Sequence, residues 1–321
     1  MEKVYLTVDL GGTRIRAARC RADGTIEART EQYTRAEEGA NAVVERIAES
    51  LRVVWPTKGK VTSIGVVVPG PVDPFTGVIF LAPNIPGFVN LPLRDWLEAI
   101  FKVPVIIGND ANLAGLAEWR YGAARGHSHV VYLTVSTGVG GGVIMGSHLL
   151  VGSRGLAGEL GHITIDYNGP ACQCGSVGCV EVIASGTGIV RQMRERLAAG
   201  DKSKVTELLN GNLEAINVEA IARAADEGDA VANAVLDDAF FALGMAVVSF
   251  LHSYNPSIVV IGGGVSNLGE RMFKPVRETV HRHVMDPAYV CPIVPAQLSG
   301  DVGLLGALAL VLDPPPQQNK R

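Results

Sequence analysis

Long apolar runs are missing from this chain. The longest, Ala239 to Leu251, covers 13 residues (251 − 239 + 1), whereas a membrane-spanning helix needs about 20, so the run predicts a buried core helix. Clusters of basic residues are also missing, and the formal net charge is −4, which excludes a protein built to coat nucleic acid or an anionic membrane. The start, MEKVYLTVDLGG, enters a strand directly and lacks the apolar segment and cleavage site of a signal peptide. Cysteine is nearly absent outside one short stretch. Cys20 and Cys291 stand alone and read as small core hydrophobes. These absences predict a soluble, cytoplasmic protein in a reducing setting, with neither nucleic acid nor membrane as partner. The 47% hydrophobic content over 321 residues suffices for two lobes, since single cores rarely grow beyond about 250–300 residues.

What is present alternates between strand and helix. Lys3 to Asp9 is rich in β-branched and aromatic residues and breaks at Leu10-Gly11-Gly12-Thr13. Arg14 to Cys20 and Thr25 to Tyr33 follow as strands around the Asp23-Gly24 turn. Ala36 to Val54 has helical spacing, with Val43, Val44, Ile47, Leu51 and Val54 on one stripe. Val61 to Val68 is a continuous apolar run, as in a strand buried on both faces, and ends in Pro69-Gly70-Pro71. Leu93 to Phe101 and Ala111 to Tyr121 read as helices flanking the strand Val103 to Ile107. Further on, Ser185 to Ala198, Asn217 to Ala225, Asp229 to Tyr254, Met272 to Met285 and Val302 to Leu312 are expected helices. Ile258 to Ile261 and Ile293 to Pro295 are expected strands, and the polar tail from Asp313 is expected to fray. The pattern is α/β layering.

The pattern also repeats. Residues 4–8 and 131–135 both read VYLTV, an offset of 127 (131 − 4), and each copy runs into a glycine turn. A looser echo pairs IGVVVPGPVD (64–73) with IVVIGGGVSN (258–267). Duplication of an α/β lobe follows, and two facing lobes would form a cleft lined by glycine turns at strand ends.

Three such turns stand out: Gly11-Gly12, Gly138 with Gly140 to Gly142, and Gly262 to Gly264. Backbone N–H groups at these turns make concavities for anions, so a nucleotide phosphate chain is the expected ligand. Neither G-x-x-x-x-G-K-[ST] nor, after residue 138, G-x-G-x-x-G occurs, which excludes a P-loop. Asp9 ends the first strand beside Gly11-Gly12-Thr13, where a carboxylate suits the water shell of magnesium; a plain turn aspartate is the alternative. Asn109-Asp110 ends a buried strand. An aspartate there can take a proton from a substrate hydroxyl, although the pair also suits a helix N-cap.

The remaining chemistry lies in Gly158 to Glu181. Cys172, Cys174 and Cys179 fall within eight residues, with His162 ten residues upstream and the acids Glu159 and Glu181 on either side. Three thiolates and one imidazole make a closed tetrahedral zinc site, structural rather than catalytic. The C-x-C-x4-C spacing differs from the redox C-x-x-C. His162 is expected to share its ring, with one nitrogen on zinc and the other left for a second partner.

Over nearly its full length the chain resembles the ROK family of sugar kinases and repressors, of the wider hexokinase–actin superfamily. The matching pieces are DLGGT (9–13), PGPVD (69–73), Asn84 of NIPGF (84–88), GNDAN (108–112), STGVGGGV (136–143), GELGH (158–162), CQCGSVGCVE (172–181) and IGGGV (261–265). The resemblance implies a two-lobed, duplicated actin-like (ribonuclease-H-like) α/β fold with an interlobe cleft. In this chain that makes a small lobe of residues 1–112 plus 302–321 and a large lobe of 113–301 with the zinc loop. It implies a sugar bound by Asn84, Asn109, Asp110, Glu159, His162 and Glu181, with Asp110 as general base. It implies ATP with magnesium, its phosphates over Asp9, Gly11, Gly12, Thr13, Arg14, Thr137 and Gly138 and its adenosine near Gly262, Gly263 and Gly264. Glucose is the expected hexose, most similar to the bacterial glucokinases of the family. An N-acetylhexosamine or fructose kinase and a non-catalytic sugar sensor are the alternatives. Relatives are often dimers or tetramers, so a homodimer or homotetramer is expected. The family's repressors carry an N-terminal winged helix, and this chain starts at its first strand. Two positions depart from the family: Phe88, where tryptophan is common, and Ser136, where glycine is commoner.

Overall fold

The computed structural model describes residues 3–82 and 84–315; the end of the expected frayed tail, 316–321, lies outside the described residues. Strands β1 (Lys3–Leu10), β2 (Arg14–Cys20) and β3 (Ile26–Tyr33) open the chain, followed by helix α1 (Ala40–Val53) and strand β4 (Lys60–Val68). Three short strands, β5 (Val72–Asp73), β6 (Val78–Leu81) and β7 (Val89–Leu91), lead to α2 (Leu93–Phe101), β8 (Val105–Asn109) and α3 (Asp110–Tyr121). The second half runs β9 (Val130–Val135), β10 (Val139–Met145), β11 (His148–Leu149), α4 (Val180–Ala184), α5 (Gly186–Ala198), α6 (Lys204–Leu208) and α7 (Val218–Asp226). It closes with α8 (Ala230–Tyr254), β12 (Ile258–Gly262), α9 (Glu270–His283), β13 (Ile293–Pro295) and α10 (Val302–Leu312).

The duplication is structural. One five-stranded sheet has the order β3-β2-β1-β4-β8 and the other β11-β10-β9-β12-β13, the same arrangement position by position. The two VYLTV copies are the central strands β1 and β9, and the looser echo falls on β4 and β12, each beside its central strand. β1 runs parallel to β4, and β4 to β8; β9 runs parallel to β12, and β12 to β13. Strand β4 is buried along nearly its whole length, as its largely β-branched sequence suits. Edge strand β3 instead alternates between half-buried and exposed residues.

The chain packs as two compact units. The first takes the residues up to Ser128, Gly142–Gly158 and those from Ala296 on; the second takes His129–Gly141 and Glu159–Pro295. Helix α3 and residues 142–158 therefore lie with the first unit, beyond the stretches assigned to it from sequence. The cause is packing: Leu113 and Leu116 of α3 share a buried cluster with Ala307 and Leu310 of α10. Their backbones approach so closely that a Cβ on Gly306 would lie 2.4 Å from the Leu113 carbonyl oxygen. Phe88, one of the two departures from the family pattern, is fully buried in the first unit's core. Helix α8 is long and apolar enough to cross a membrane by length and composition, but 67% of its most apolar window is buried. The three-stranded sheet β5-β6-β7, strand β11 and helix α6 have no counterpart in the sequence reading. Elements of two to five residues are too short to show a period.

Candidate active site

In the first unit, β1, β4 and β8 lie side by side, with Asp9 opposite Val67 and Val68 opposite Asn109. Their carboxyl ends carry the candidate residues, where ligands bind in parallel sheets. The Gly11 N–H closes the first glycine turn on the Arg14 carbonyl at 2.9 Å, and the Thr34 hydroxyl holds the Gly11 carbonyl at 2.6 Å. Asn84 comes directly to this turn: a Cβ on Gly12 would be 3.0 Å from the Asn84 Cβ. Thr13 and Arg14 are exposed, Arg14 pairing with Glu31 and lying over the Tyr33 ring.

Asp9 faces inward more than its place beside the turn suggested. Its Oδ2 accepts from Arg16 Nη2 at 2.5 Å, and a Cβ on Gly303 in the first turn of α10 would lie 2.3 Å from that oxygen. Burial pushes the Asp9 carboxyl above its ordinary value, and the Arg16 guanidinium partly offsets this. Sequence reading missed Arg16. The signal was in the hairpin, where Arg16 is the residue directly across from Asp9.

Asn109 is the N-cap of α3, its Oδ1 accepting from Ala111 and Asn112 N–H at 3.0 and 3.1 Å, while its Nδ2 donates to the Gly70 carbonyl at 3.1 Å. These bonds anchor the side chain to the backbone and use one of its two Nδ2 hydrogens. Asp110, the first residue of α3, is exposed, with Oδ1 accepting the Ala111 N–H at 2.8 Å.

In the second unit, the turns after β9 and β12 are neighbours. Gly263 has φ of 88°, and a Cβ there would lie 2.3 Å from the Val135 carbonyl oxygen, so only glycine fits. A Cβ on Gly264 would come within 3.9 Å of Ser136 Oγ. The buried end of β12 at Gly262 leads into this turn.

Val139 is the hub of the remaining candidates. Its N–H donates to Glu181 Oε2 at 3.0 Å. Its carbonyl oxygen would be 1.8 Å from a Cβ on Gly161, so the GELGH segment lies flat against it only because that Cβ is missing. Gly138 is also close-packed, though less tightly, a Cβ there meeting Glu181 Oε2 at 2.5 Å. Thr137 is exposed beside it, and the exposed Glu159 and half-buried His162 bracket Gly161. The second unit therefore gathers Thr137, Gly138, Gly262 to Gly264, Glu159, His162 and Glu181. The first gathers Asp9, Gly11 to Arg14, Asn84, Asn109 and Asp110.

His162, Cys172, Cys174 and Cys179 converge as a group able to hold a metal ion, their donor atoms all within 4.8 Å of one another. Cys174 and Cys179 Sγ are 3.7 Å apart, and Cys172 Sγ is 3.6 Å from His162 Nδ1. A tetrahedral ion bonded at about 2.3 Å to sulfur and about 2.0–2.1 Å to nitrogen spaces its ligands by about 3.8 and 3.6 Å. The donor set fits. As thiols the residues differ: a backbone hydrogen bond from Ser176 holds the exposed Cys174 below its ordinary value, while burial pushes Cys179 up to about 12. Binding through Nδ1 turns the His162 Nε2 away from the cluster.

Comparison with known proteins identifies the family. The model of the ROK family matches residues 5–314. The glucokinase of Thermotoga maritima is 39% identical over 306 residues, covering 95% of this chain and 96% of its own. The crystal structure of the ROK hexokinase from Thermus thermophilus superposes with a TM-score of 0.82 at 35% identity, over 96% of this chain and 98% of that one. That of a ROK family glucokinase from Streptomyces griseus, in complex with glucose and AMPPNP, gives 0.77 at 33% identity over the same shares. With its duplicated sheets, glycine turns and Cys/His cluster in place, this chain belongs to the ROK family.

Proposed function

We propose that the protein is an ATP-dependent sugar kinase that phosphorylates a hexose, glucose first, at its 6-hydroxyl. One observation carries the reading furthest. The GELGH segment, Glu181 and the 136–140 turn meet at Val139, so groups suited to sugar hydroxyls and groups suited to phosphate are held by one residue's backbone. Asn84, Asn109, Asp110, Glu159, His162 and Glu181 contact the sugar, and Asp110 takes the proton of the attacking hydroxyl. The turns at Gly11 to Arg14 and Thr137-Gly138 take the phosphates, and Gly262 to Gly264 the adenosine. Phosphoryl transfer asks mainly for positioning and electrostatic stabilisation, which rigid backbone turns supply. Magnesium, when bound, offsets phosphate charge. Asp9 is the residue to meet its water shell, and with Oδ2 held by Arg16 a water-mediated contact suits it better than direct ligation. Zinc is the metal for the Cys3His cluster, where it orders the loop and takes no part in the chemistry. The five free thiols suit a reducing, cytoplasmic setting.

The test is a panel of hexoses and N-acetylhexosamines with ATP, ranked by kcat/KM in a coupled assay of ADP release. Glucose is expected to rank first; an N-acetylated hexosamine in first place would move the substrate class, and no ADP release with any sugar would refute the kinase. Asp110→Ala is expected to lose about 10²–10⁴ in kcat while binding sugar by calorimetry. Near-wild-type turnover in that variant would remove Asp110 as the base.

A further inference from the structure

The 136–140 turn is fixed from outside by the segment that follows the Cys/His cluster. The Gly186 N–H donates to the Ser136 carbonyl at 2.7 Å, and the Thr187 hydroxyl donates to the Thr137 carbonyl at 2.6 Å. Val139 N–H donates to Glu181 Oε2 at 3.0 Å. A carbonyl can only accept, so the single Thr187 hydroxyl hydrogen is committed to Thr137. Ser185 Oγ, 3.0 Å from Thr187 Oγ1, therefore donates to Thr187, and itself accepts the Gly188 N–H at 3.0 Å as the cap of α5. Ser185 is fully buried. A directed relay results, from Gly188 through Ser185 and Thr187 to the Thr137 carbonyl, with each hydroxyl accepting once and donating once.

Pinning these carbonyls decides where the N–H groups of the turn point. Every peptide described is trans, and in a trans peptide the carbonyl and the following N–H point in opposite directions. Holding the Ser136 carbonyl on Gly186 turns the Thr137 N–H the other way, and holding the Thr137 carbonyl on Thr187 does the same for Gly138. Among the described residues neither N–H meets a protein acceptor. Two successive N–H groups turned to one side form the concavity that binds an anion.

We propose that Thr187 is a positioning residue for the phosphate-binding turn, and that Glu181 joins this turn to the sugar-binding loop. One Glu181 oxygen holds Val139, and the other is the atom offered to a sugar hydroxyl. The inference rests on the sugar-kinase reading above. It gives the start of α5 control over nucleotide affinity.

Thr187→Val keeps the shape and removes the donor, and Thr187→Ser restores it. The readout is displacement of trinitrophenyl-ATP by ADP from the full-length, zinc-replete protein, with sugar affinity measured separately by calorimetry. One lost hydrogen bond is expected to raise the ADP Kd about 3–10-fold in Thr187→Val, with return to within about twofold in Thr187→Ser and an unchanged sugar Kd in both. An unchanged ADP Kd in Thr187→Val overturns the proposal, and so does a parallel loss of sugar and ADP that serine fails to repair. Wild-type protein that binds ADP but phosphorylates no sugar would sink the kinase reading while leaving the turn readable. Wild-type protein that binds no ADP overturns both.

Discussion

Gly161→Ala tests whether the GELGH segment must lie where it does. Gly161 is outside the left-handed region, so alanine meets no backbone strain there and its effect is steric. The added Cβ would sit 1.8 Å from the Val139 carbonyl oxygen and 2.8 Å from its carbon. Non-bonded heavy atoms rest at about 3.5 Å or more, so one of the two segments must retreat by roughly 1 Å or more. The retreat shifts Glu159 and His162 together and disturbs Val139, whose N–H holds Glu181. Overpacking of this kind costs about 1–3 kcal/mol, too little to unfold the chain, but a displacement of about 1 Å near the chemistry can cost about 10²-fold in rate. We therefore expect kcat/KM for the sugar to fall about 10- to 100-fold, with a raised sugar KM and a lowered but cooperative melting transition. Gly300→Ala is the matched comparison. It is likewise free of positive φ, and a Cβ there meets nothing within 4 Å, so its stability should stay within about 0.5 kcal/mol of wild type with unaltered kinetics. Coupled ADP-release kinetics over a sugar series and thermal melts of both variants decide the matter. Wild-type sugar KM in Gly161→Ala would refute the steric argument and with it the placement of Glu159 and His162.

The metal cluster and the buried thiols give two further expectations. Cys174→Ser should lose bound zinc, measured by mass spectrometry of the purified protein, and raise the sugar KM severalfold while the fold persists; unchanged sugar kinetics in the zinc-free variant would reduce the cluster to a staple. The Cys20 thiol is fully buried, and burial pushes it from 9.0 up to about 11. The folded state thus favours the neutral thiol while the unfolded chain ionises first, so stability is intact below about pH 9 and is lost as pH rises toward 11, by about 2–3 kcal/mol at most. Cys20→Ala should flatten, without abolishing, the fall in urea midpoint between about pH 8 and 10.5, because Cys291 is pushed up in the same direction; equal slopes in the two proteins would rule out Cys20 as a source.

The parts of the fold legible from sequence were those whose signal is local. Strand β4 announces itself by a largely β-branched run, α1 by one apolar stripe, and the duplication by the VYLTV strands that are β1 and β9. The unit boundaries were not legible, because they depend on α3 packing against α10 across nearly two hundred residues of sequence. In the site, the tight apposition of GELGH to Val139 makes physical sense of Gly161, which the motif alone leaves unexplained. Thr187 was invisible for a different reason. Sequence reading started a helix at Ser185 but did not find the short α4 before it, and it is the break between α4 and α5 that brings Gly186 and Thr187 to the turn.

The duplication also explains why the two turns are held differently. At the offset of 127 (131 − 4), Asp9 of the first copy corresponds to Ser136 of the second, Gly11 to Gly138, and Arg16 to Val143. In the first copy the turn carries a carboxylate, and its own hairpin supplies the arginine that offsets it. The second copy has neither charge. A carboxylate at 136 would stand beside the two N–H groups of Thr137 and Gly138 and repel a phosphate drawn to them, so an uncharged residue suits that position. Without an ion pair inside the hairpin, the second turn needs partners from elsewhere. They come from the long connection between β11 and β12, residues 150–257, against residues 34–59 for the matching connection between β3 and β4. That longer connection contains GELGH, the Cys/His cluster, Glu181 and Thr187. The same insertion that carries GELGH and the Cys/His cluster is therefore what fixes the neighbouring 136–140 turn.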